Sequence, residues 1–222
     1  MSEALTSTLD NGLRARRRAI VCAARDLLDE NGLDGLTIRA VLARTGLARR
    51  AFYECFAGKD DLVLGMFEDT LLDAANHYRS IAGENNDPLS GLEMLLKAIV
   101  LGRYGPQNAL GAHQADISGE SIDRRSAALS REHLRLAESR PADLQAALSP
   151  LLGLIATLVT DGIRAGQLRK SDPDLQAQLL YNLVSTTVHT ELLTNRDPGE
   201  AAHSRHELAD NIWEFCRRAI SA

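Results

Sequence analysis

Apolar residues recur along this chain every three or four positions, which is the spacing of amphipathic helices rather than of strands. The first such run is Ile20, Ala23, Ala24, Leu27 and Leu28, and it ends at Asn31-Gly32. A glycine there can adopt the left-handed conformation that closes a helix. Because no segment alternates apolar and polar residues between hairpin turns, we expect an all-α protein.

The same spacing predicts a series of later helices. They cover about 59–81, 87–101, 120–139, 141–165, 173–194 and 204–220, with a further short helix between 108 and 119. Asp87-Pro88 and Asp172-Pro173 each combine a capping side chain with a first-turn proline. Ser204 and Glu207 have the spacing of a capping box.

The segment from Thr37 to Phe56, TIRAVLARTGLARRAFYECF, is predicted to form two short helices joined by a glycine-containing turn. Thr37 can cap the first helix with its hydroxyl, and Thr45-Gly46-Leu47 interrupts the apolar run. The second helix starts near Ala48, and Phe52 and Phe56 face the core one turn apart. This arrangement is typical of a helix-turn-helix that binds DNA.

The net charge of −5 does not suit a nucleic-acid-binding protein until it is divided along the chain. Residues 1–60 contain 10 basic and 8 acidic side chains, whereas the remainder contains 15 and 22. A DNA-binding surface needs only a local positive charge. The run of Arg14, Arg16, Arg17 and Arg18 adds a basic patch, which either reaches the DNA as an N-terminal arm or is a solvated helix start.

Other classes of protein find little support in the sequence. The apolar runs, such as 151–159, are shorter than the roughly 18 residues that a membrane span needs, and the N-terminus lacks the apolar core of a secretion signal. The cysteines Cys22, Cys55 and Cys216 form no CxxC pair, which favours reduced, mostly buried thiols. For Cys55, a buried inert thiol is favoured over a sensor of oxidants. We therefore expect a cytoplasmic protein without membrane contact.

Catalytic and metal-binding motifs are also missing. The sequence contains no phosphate loop, nucleophile elbow or HExxH motif. It also lacks a pair of residues with the spacing of a catalytic site, so nothing suggests an enzyme. His203 and His206, with His189 upstream, lack the remaining spacing of a zinc site. We expect no catalytic residues, no metal and no cofactor.

Several of these residues resemble the TetR family of bacterial transcription regulators. The matches are Thr37, 41–43, Thr45-Gly46-Leu47, Tyr53 with Phe56, and Lys59-Asp60-Asp61, followed far downstream by Gly166-Gln167-Leu168-Arg169 and Asp172-Pro173. The resemblance covers the first quarter of the chain strongly and the C-terminal third moderately. It implies a three-helix DNA-binding domain at 14–60, after a flexible tail at 1–13, and a larger helical effector-binding and dimerisation domain at 61–222.

The expected DNA-binding residues are Thr37, Arg39, Ala48, Arg49, Arg50, Tyr53 and Lys59. Arg49 and Arg50 are the expected base contacts, because a guanidinium can pair with the O6 and N7 atoms of guanine. Tyr53 resembles a phosphate-contacting tyrosine of the family, with simple packing as the alternative. Lys59 can share a phosphate with free amides at a helix start, or be a surface lysine. The family often has Gly-Thr where this chain has Arg50-Ala51, so contacts of that threonine do not transfer.

The resemblance implies a sequence-specific transcriptional regulator, most simply a repressor that a small-molecule effector releases. It implies a homodimer through the last two helices, at about 173–194 and 204–220, and two symmetric recognition helices would contact a palindromic operator in double-stranded DNA. The effector pocket is expected in the middle of the chain, where Tyr104 and His113 are candidates without a specific signal. The alternative is an adaptor or nucleoid-associated protein with the same fold.

Overall fold

The computed structural model describes residues 2–82, 87–101, 119–194 and 198–222. The loop expected at 83–86, the helix-ending residues 102–106, the short helix expected between 108 and 119, and the candidates Tyr104 and His113 lie outside the described residues. Within the described part, the chain forms the helices α1 (Ser2–Gly35), α2 (Ile38–Thr45), α3 (Arg49–Tyr53), α4 (Lys59–Ala82), α5 (Pro88–Val100), α6 (Gly119–Ser139), α7 (Pro141–Arg164), α8 (Pro173–Thr194) and α9 (Pro198–Ile220). No strand occurs among these residues, so the fold is all-α as expected.

The first three helices are joined by the turns that the sequence predicts. Gly32 has a φ of 65° and interrupts the helical conformation of α1. The Thr37 hydroxyl accepts a hydrogen bond of 3.1 Å from the Ala40 amide and so caps α2. Gly46, with a φ of 67°, ends α2 in the left-handed conformation, which is unfavourable for residues that carry a Cβ atom.

Three boundaries differ from the sequence analysis. Helix α1 begins at Ser2, so residues 2–13 are helical rather than a tail, since no proline or glycine pair interrupts them. Helix α3 ends at Tyr53, which leaves Cys55 and Phe56 in the following turn instead of inside the recognition helix. Helix α9 begins at Pro198 rather than Ser204, because a proline at the first helical position starts the helix earlier.

The C-terminal helices are arranged around α7, which packs against α4, α5, α6 and α8. Its buried residues include Leu144, Leu148, Leu151, Ile155 and Val159, which recur at helical spacing. Helix α9 covers α5, and α6 packs against both α1 and α8. The buried apolar residues of the first three helices and of this bundle form one continuous core. The first three helices are thus attached to the bundle through α1 and α4.

Helix α7 has the length and composition of a membrane span, with a mean hydropathy of 1.6 over an 18-residue window. This window is longer than the apolar run 151–159 on which the sequence analysis relied. However, 44% of the window is buried inside the protein, and a core helix of a soluble protein has the same composition. The helix is weak evidence for a membrane segment.

The segment between α7 and α8 fixes the end of the chain. Gly166 has a φ of 72°, and the Gln167 amide donates to the Gly162 carbonyl at 2.9 Å, which closes α7. The Arg169 amide then donates to the Ile220 carbonyl, and the Ala222 amide donates to the Gln167 carbonyl. The Gly166-Gln167-Leu168-Arg169 motif therefore joins the α7–α8 connection to the end of α9.

Candidate nucleic-acid interface

The start of α3 presents the two arginines expected to contact bases. Arg49 and Arg50 are both exposed, and the Arg50 side chain is 91% exposed. The Arg49 guanidinium lies 5.6 Å from the centroid of the Tyr53 ring and donates to the Tyr53 hydroxyl at 3.4 Å. Because Tyr53 is one turn further along the same helix, it supports Arg49 on the outer face of α3.

Arg50 is held less firmly than Arg49. Its guanidinium makes an ion pair of 3.2 Å with Glu54, and Glu54 also binds Arg16 at 2.6 Å. An exposed pair of this kind contributes roughly 0–1 kcal/mol, so a guanine or a phosphate can compete for Arg50. Arg16, in contrast, joins α1 to the end of α3.

The remaining candidates around α2 and α3 are also exposed. Thr37 and Ala48 precede α2 and α3 as their N-caps, and the Ala48 side chain makes no capping hydrogen bond. Arg39 follows Thr37 on the exposed side of α2 and makes no ion pair with a described carboxylate. The Thr37 hydroxyl accepts the capping hydrogen bond and keeps its own hydrogen as a donor. Arg39 has its charge available at the surface.

The basic run at Arg14 to Arg18 is divided by the fold. Arg17 is half-buried, binds Asp69 and Glu68 at 2.7 Å each, and lies 5.5 Å from the centroid of the Phe56 ring. Together with the Arg16–Glu54 pair, this contact assigns two of the four arginines to internal packing. Arg14 and Arg18 remain exposed. As a whole, the run is thus neither a free arm nor a fully solvated patch.

The interior of the DNA-binding half depends on Phe52 and Phe56. Both rings are buried and lie 5.8 Å apart between centroids, as the sequence analysis expects for core residues. A Cβ atom added at Gly65 in α4 would lie 2.8 Å from the Phe56 ring and 3.2 Å from the Arg17 guanidinium. Glycine at position 65 therefore allows α4 to pack directly on the aromatic core.

The Lys59-Asp60-Asp61 motif begins α4 and connects three parts of the molecule. The Lys59 ammonium donates to the Leu33 carbonyl at 3.2 Å and is half-buried, so it is not simply a solvated lysine. Asp61 accepts from the Ala57 amide at 2.9 Å with one carboxylate oxygen and from Arg140 with the other. Asp60 forms a two-pronged pair with Arg135, at 2.6 and 3.2 Å.

The Asp60–Arg135 and Asp61–Arg140 contacts, here called the junction ion pairs, were not expected from the sequence. Their partners are 75 and 79 residues apart, and no local spacing signals them. Arg135 also binds Glu132, and Arg140 also binds Asp143 at 2.7 Å. Hydrogen bonds from Arg135 and Arg140 hold the pKa values of Asp60 and Asp61 below their usual range.

A second polar group that the sequence analysis missed lies between α4, α6 and α8. His133 and His189 are 4.7 Å apart between ring centroids, and His133 also contacts the rings of Phe67 and Tyr181. Burial lowers the pKa of His133, and burial together with His133 lowers the pKa of His189 to about 4. Both rings are therefore neutral near pH 7. The only local signal was the spacing of Tyr181 and His189, two turns apart on α8.

The last two helices expose large apolar side chains. Leu175, Leu179 and Leu183 on α8 are 55, 55 and 37% exposed, and Phe215 on α9 is 64% exposed. The three leucines follow one another every four residues and so share one face of α8. We call this set the apolar stripe. An apolar face of this kind is typical of a protein–protein contact.

The cysteines and histidines give no sign of redox or metal chemistry in the described part of the chain. Burial raises the pKa of the Cys55 thiol and raises that of Cys216 to about 11, which disfavours reactive thiolates. No group of three or more potential ligands occurs among the described residues. His203, whose side chain is not described, lies outside this test.

Comparison with known proteins supports a DNA-binding protein. A sequence model of the family described as bacterial regulatory proteins, tetR family, matches residues 20–66, which span the end of α1 through the start of α4. No curated protein matches the chain closely enough to be counted as a relative.

Solved structures share the fold over nearly the whole chain. A TetR-family transcriptional regulator from Pectobacterium atrosepticum is 17% identical, with a TM-score of 0.67 and coverage of 96% of this chain and 97% of its own. The regulator FadR from Bacillus subtilis, solved in complex with stearoyl-CoA, is 16% identical, with a TM-score of 0.64 and coverage of 90% and 96%. A putative TetR-family regulator from Rhodococcus sp. is 19% identical, with a TM-score of 0.61 and coverage of 89% and 98%.

The fold and the exposed start of α3 define a helix-turn-helix DNA-binding regulator that carries a larger all-α domain. Residues 20–66 match the tetR-family model, and solved TetR-family structures share the fold of nearly the whole chain, in agreement with the motifs quoted above.

Proposed function

We propose that this protein is a homodimeric transcriptional repressor that binds a palindromic operator and is released by a small molecule. The observation that carries the proposal is the exposed pair Arg49 and Arg50 at the start of a helix-turn-helix recognition helix. Arg16, Arg17 and Arg44 of the same half bind acidic residues of another helix or turn, whereas the ion pair of Arg50 is an exposed one with Glu54, one turn away. Arg49 and Arg50 thus have guanidinium groups available for bases.

The roles of the other surface residues follow from their positions. We propose that Thr37, Arg39 and Ala48 contact the DNA backbone and so position the recognition helix. Tyr53 and Lys59 are proposed to contact phosphates. Tyr53 is 45% exposed next to Arg49, and Lys59 uses one donor on Leu33 and keeps others for a phosphate. Domain limits of 14–60 and 61–222 agree with this division of roles, although the core is continuous.

The dimer is proposed through the apolar stripe on α8 and Phe215 on α9. Two copies that share these faces would form a four-helix contact around a twofold axis, which is the symmetry that a palindrome requires. Fully burying a leucine or phenylalanine side chain contributes roughly 1.5–3 kcal/mol, so covering four partly exposed ones is a substantial driving force. The two recognition helices would then contact half-sites about 34–36 Å apart.

The effector is proposed to bind in the C-terminal domain near Phe67, His133, Tyr181 and His189. These side chains come from α4, α6 and α8, so a molecule among them would contact the helix that begins at Lys59. FadR, with the same fold, was solved with stearoyl-CoA, which supports small-molecule binding by this architecture. A soluble cytoplasmic protein could meet both proposed partners, double-stranded DNA and a small-molecule effector.

The proposal is tested by selecting a duplex from a random DNA pool with the wild-type protein. We expect a palindrome, and we expect the R49A/R50A variant to lose preference for it by roughly 100-fold or more, since each good arginine–guanine pair contributes about 1–3 kcal/mol. The control variant R164A/R169A removes two exposed arginine side chains that lie outside this surface and outside the proposed dimer faces. Specific binding that survives R49A/R50A would refute the assigned base contacts.

A second measurement separates phosphate contacts from base contacts. The Lys59→Gln and Tyr53→Phe variants are expected to weaken binding to all duplexes. Because the dimer would lose one phosphate contact in each half-site, Lys59→Gln is expected to lower the slope of log affinity against log salt by about 2. Broad binding without a preferred palindrome would instead favour the alternative, a nucleoid-associated protein. Loss of binding at one sequence only would contradict the phosphate roles.

A further inference from the structure

The start of α4 is fixed from outside the DNA-binding half by two arginines of the C-terminal domain. Arg135 lies on α6, and Arg140 lies at the joint between α6 and α7. Arg135 donates hydrogen bonds to both carboxylate oxygens of Asp60, and Arg140 donates to one oxygen of Asp61. Asp60 and Asp61 are adjacent, so the two junction ion pairs act on a single helical turn.

This first turn of α4 is connected by hydrogen bonds to the recognition helix α3. The second oxygen of Asp61 accepts from the Ala57 amide, four residues after Tyr53 ends α3. The Phe56 amide donates to the Phe52 carbonyl at 2.9 Å, which continues the connection into α3. A short path of ion pairs and hydrogen bonds thus leads from Arg140 through Asp61 and Ala57 to the recognition helix.

At its other end, the path reaches the aromatic and histidine side chains near the proposed effector position. Arg135 is two residues from His133, which contacts both Phe67 and His189. Arg135 also binds Glu132, whose side chain is only 12% exposed, so the guanidinium is anchored within α6. A displacement of α6 caused by a molecule beside His133 would therefore move the group that holds Asp60.

We propose that Arg135 and Arg140 are positioning residues that set the placement of the recognition helix relative to the C-terminal domain through the junction ion pairs. They do not contact DNA themselves. The proposal rests on the proposed DNA-binding function and deepens it, because it names the contacts through which α6 acts on operator affinity.

A double-mutant cycle on Asp60 and Arg135 tests this proposal against simple charge effects. If the two residues acted only through long-range charge, Asp60→Asn would tighten DNA binding, Arg135→Gln would weaken it, and the two effects would be additive. If they act through their mutual contact, both single variants shift operator affinity in the same direction, by about 5-fold for a partly exposed pair. The D60N/R135Q double variant then shifts it no further than the larger single change.

The controls remove equivalent charges away from the junction. Asp26→Asn removes an exposed carboxylate from α1, and Arg164→Gln removes an exposed arginine from the end of α7. Affinities are measured on the duplex selected by the wild-type protein, at two salt concentrations that separate screened charge effects from the contact. Opposite and additive shifts for Asp60→Asn and Arg135→Gln would overturn the proposal.

Amide hydrogen exchange without DNA gives a second readout. The R135Q/R140Q variant is expected to accelerate exchange about 5-fold at residues 56–62, compared with R164Q/R218Q, because the turn before α4 loses its external support. Unchanged exchange there would overturn the proposal even if DNA binding were normal. If the wild-type protein selects no duplex, the proposed function fails, and the exchange result alone decides the positioning role.

Discussion

The two halves of the molecule share a core but expose opposite kinds of side chain. Around α2 and α3, the exposed residues include Arg39, Arg49 and Arg50, whereas α8 and α9 expose the apolar stripe and Phe215. Exposed cations can bind a polyanion without losing their hydration fully, but exposed leucines are stabilised only when another apolar surface covers them. The difference in exposed surface therefore matches the proposed roles, in which one half binds DNA and the other binds a second copy of the chain.

The interiors of the halves differ as well. The DNA-binding half fills a small core with Phe52 and Phe56 and brings α4 close through Gly65. The C-terminal half uses many leucines around α7, and one exposed helical position there, Gly153, has open space around it. Replacing a glycine by alanine is thus expected to lower the stability at Gly65 and to raise it at Gly153.

The largest effect is expected from breaking the apolar stripe. The Leu175→Glu and Leu179→Glu changes together place two charges on the proposed dimer face, and we expect a monomer in sedimentation analysis. Because a dimer binds both half-sites at once, operator affinity should fall by roughly 100-fold or more. The isolated chain should remain folded, since both positions are 55% exposed.

Leu134→Glu is the matched control for this experiment. Leu134 lies on α6 and is 46% exposed, but it is outside the stripe. We expect this variant to stay dimeric and to bind the operator normally. If the L175E/L179E variant remained a dimer, the apolar stripe would not be the dimer contact. The contrast drawn between a DNA-binding half and a dimerising half would then lose its basis.

The sequence predicted the framework of the DNA-binding half well because its signals are local. The Thr37 cap, the Gly46 turn and the spacing of Phe52 and Phe56 each act within one or two helical turns. The boundaries of α1 and α9 were less well predicted, since α1 continues through the polar residues 2–13 and α9 begins at Pro198. Polar composition alone does not end a helix.

The contacts that join the halves could not be predicted in the same way. Arg135 and Asp60 meet across 75 residues, and their pairing depends on how α6 packs, which no local pattern records. The contact between His133 and His189 likewise requires two helices distant in sequence. The side chains of the proposed DNA-binding surface were chosen from the motif, whereas the connection to the C-terminal domain follows only from the tertiary structure.

An intermediate effect is expected from filling the space at Gly65. Gly65→Ala places a methyl group 2.8 Å from the buried Phe56 ring, so the ring or α4 must move. Overpacking of this kind costs about 1–3 kcal/mol, which exceeds the gain of roughly 0.5–1 kcal/mol from removing a helical glycine. Chemical denaturation should therefore show a net loss of about 1–2 kcal/mol.

The control for this change is Gly153→Ala in α7. No atom lies within 4 Å of a Cβ built at Gly153, so only the gain in helix propensity remains. We expect this variant to be more stable than the wild type by about 0.5–1 kcal/mol. If both variants were stabilised, the close contact of α4 with the aromatic core would not hold in solution.

The smallest effect is expected from pH, and the histidines that contribute to it belong to the C-terminal half, because the sequence has no histidine before residue 77. Burial lowers the pKa of His189 to about 4 from an ordinary value of 6.5, so between these values the unfolded chain binds a proton that the folded protein does not. Stability should then fall as the pH drops from 6.5 to 4, by about 1 kcal/mol after allowing for the partial exposure of the ring. Unfolding followed through Trp213, the only tryptophan, measures this slope in the C-terminal half. His189→Gln should flatten it, whereas Gln145→Asn on the exposed side of α7 should not. An unchanged slope in His189→Gln would contradict the assignment.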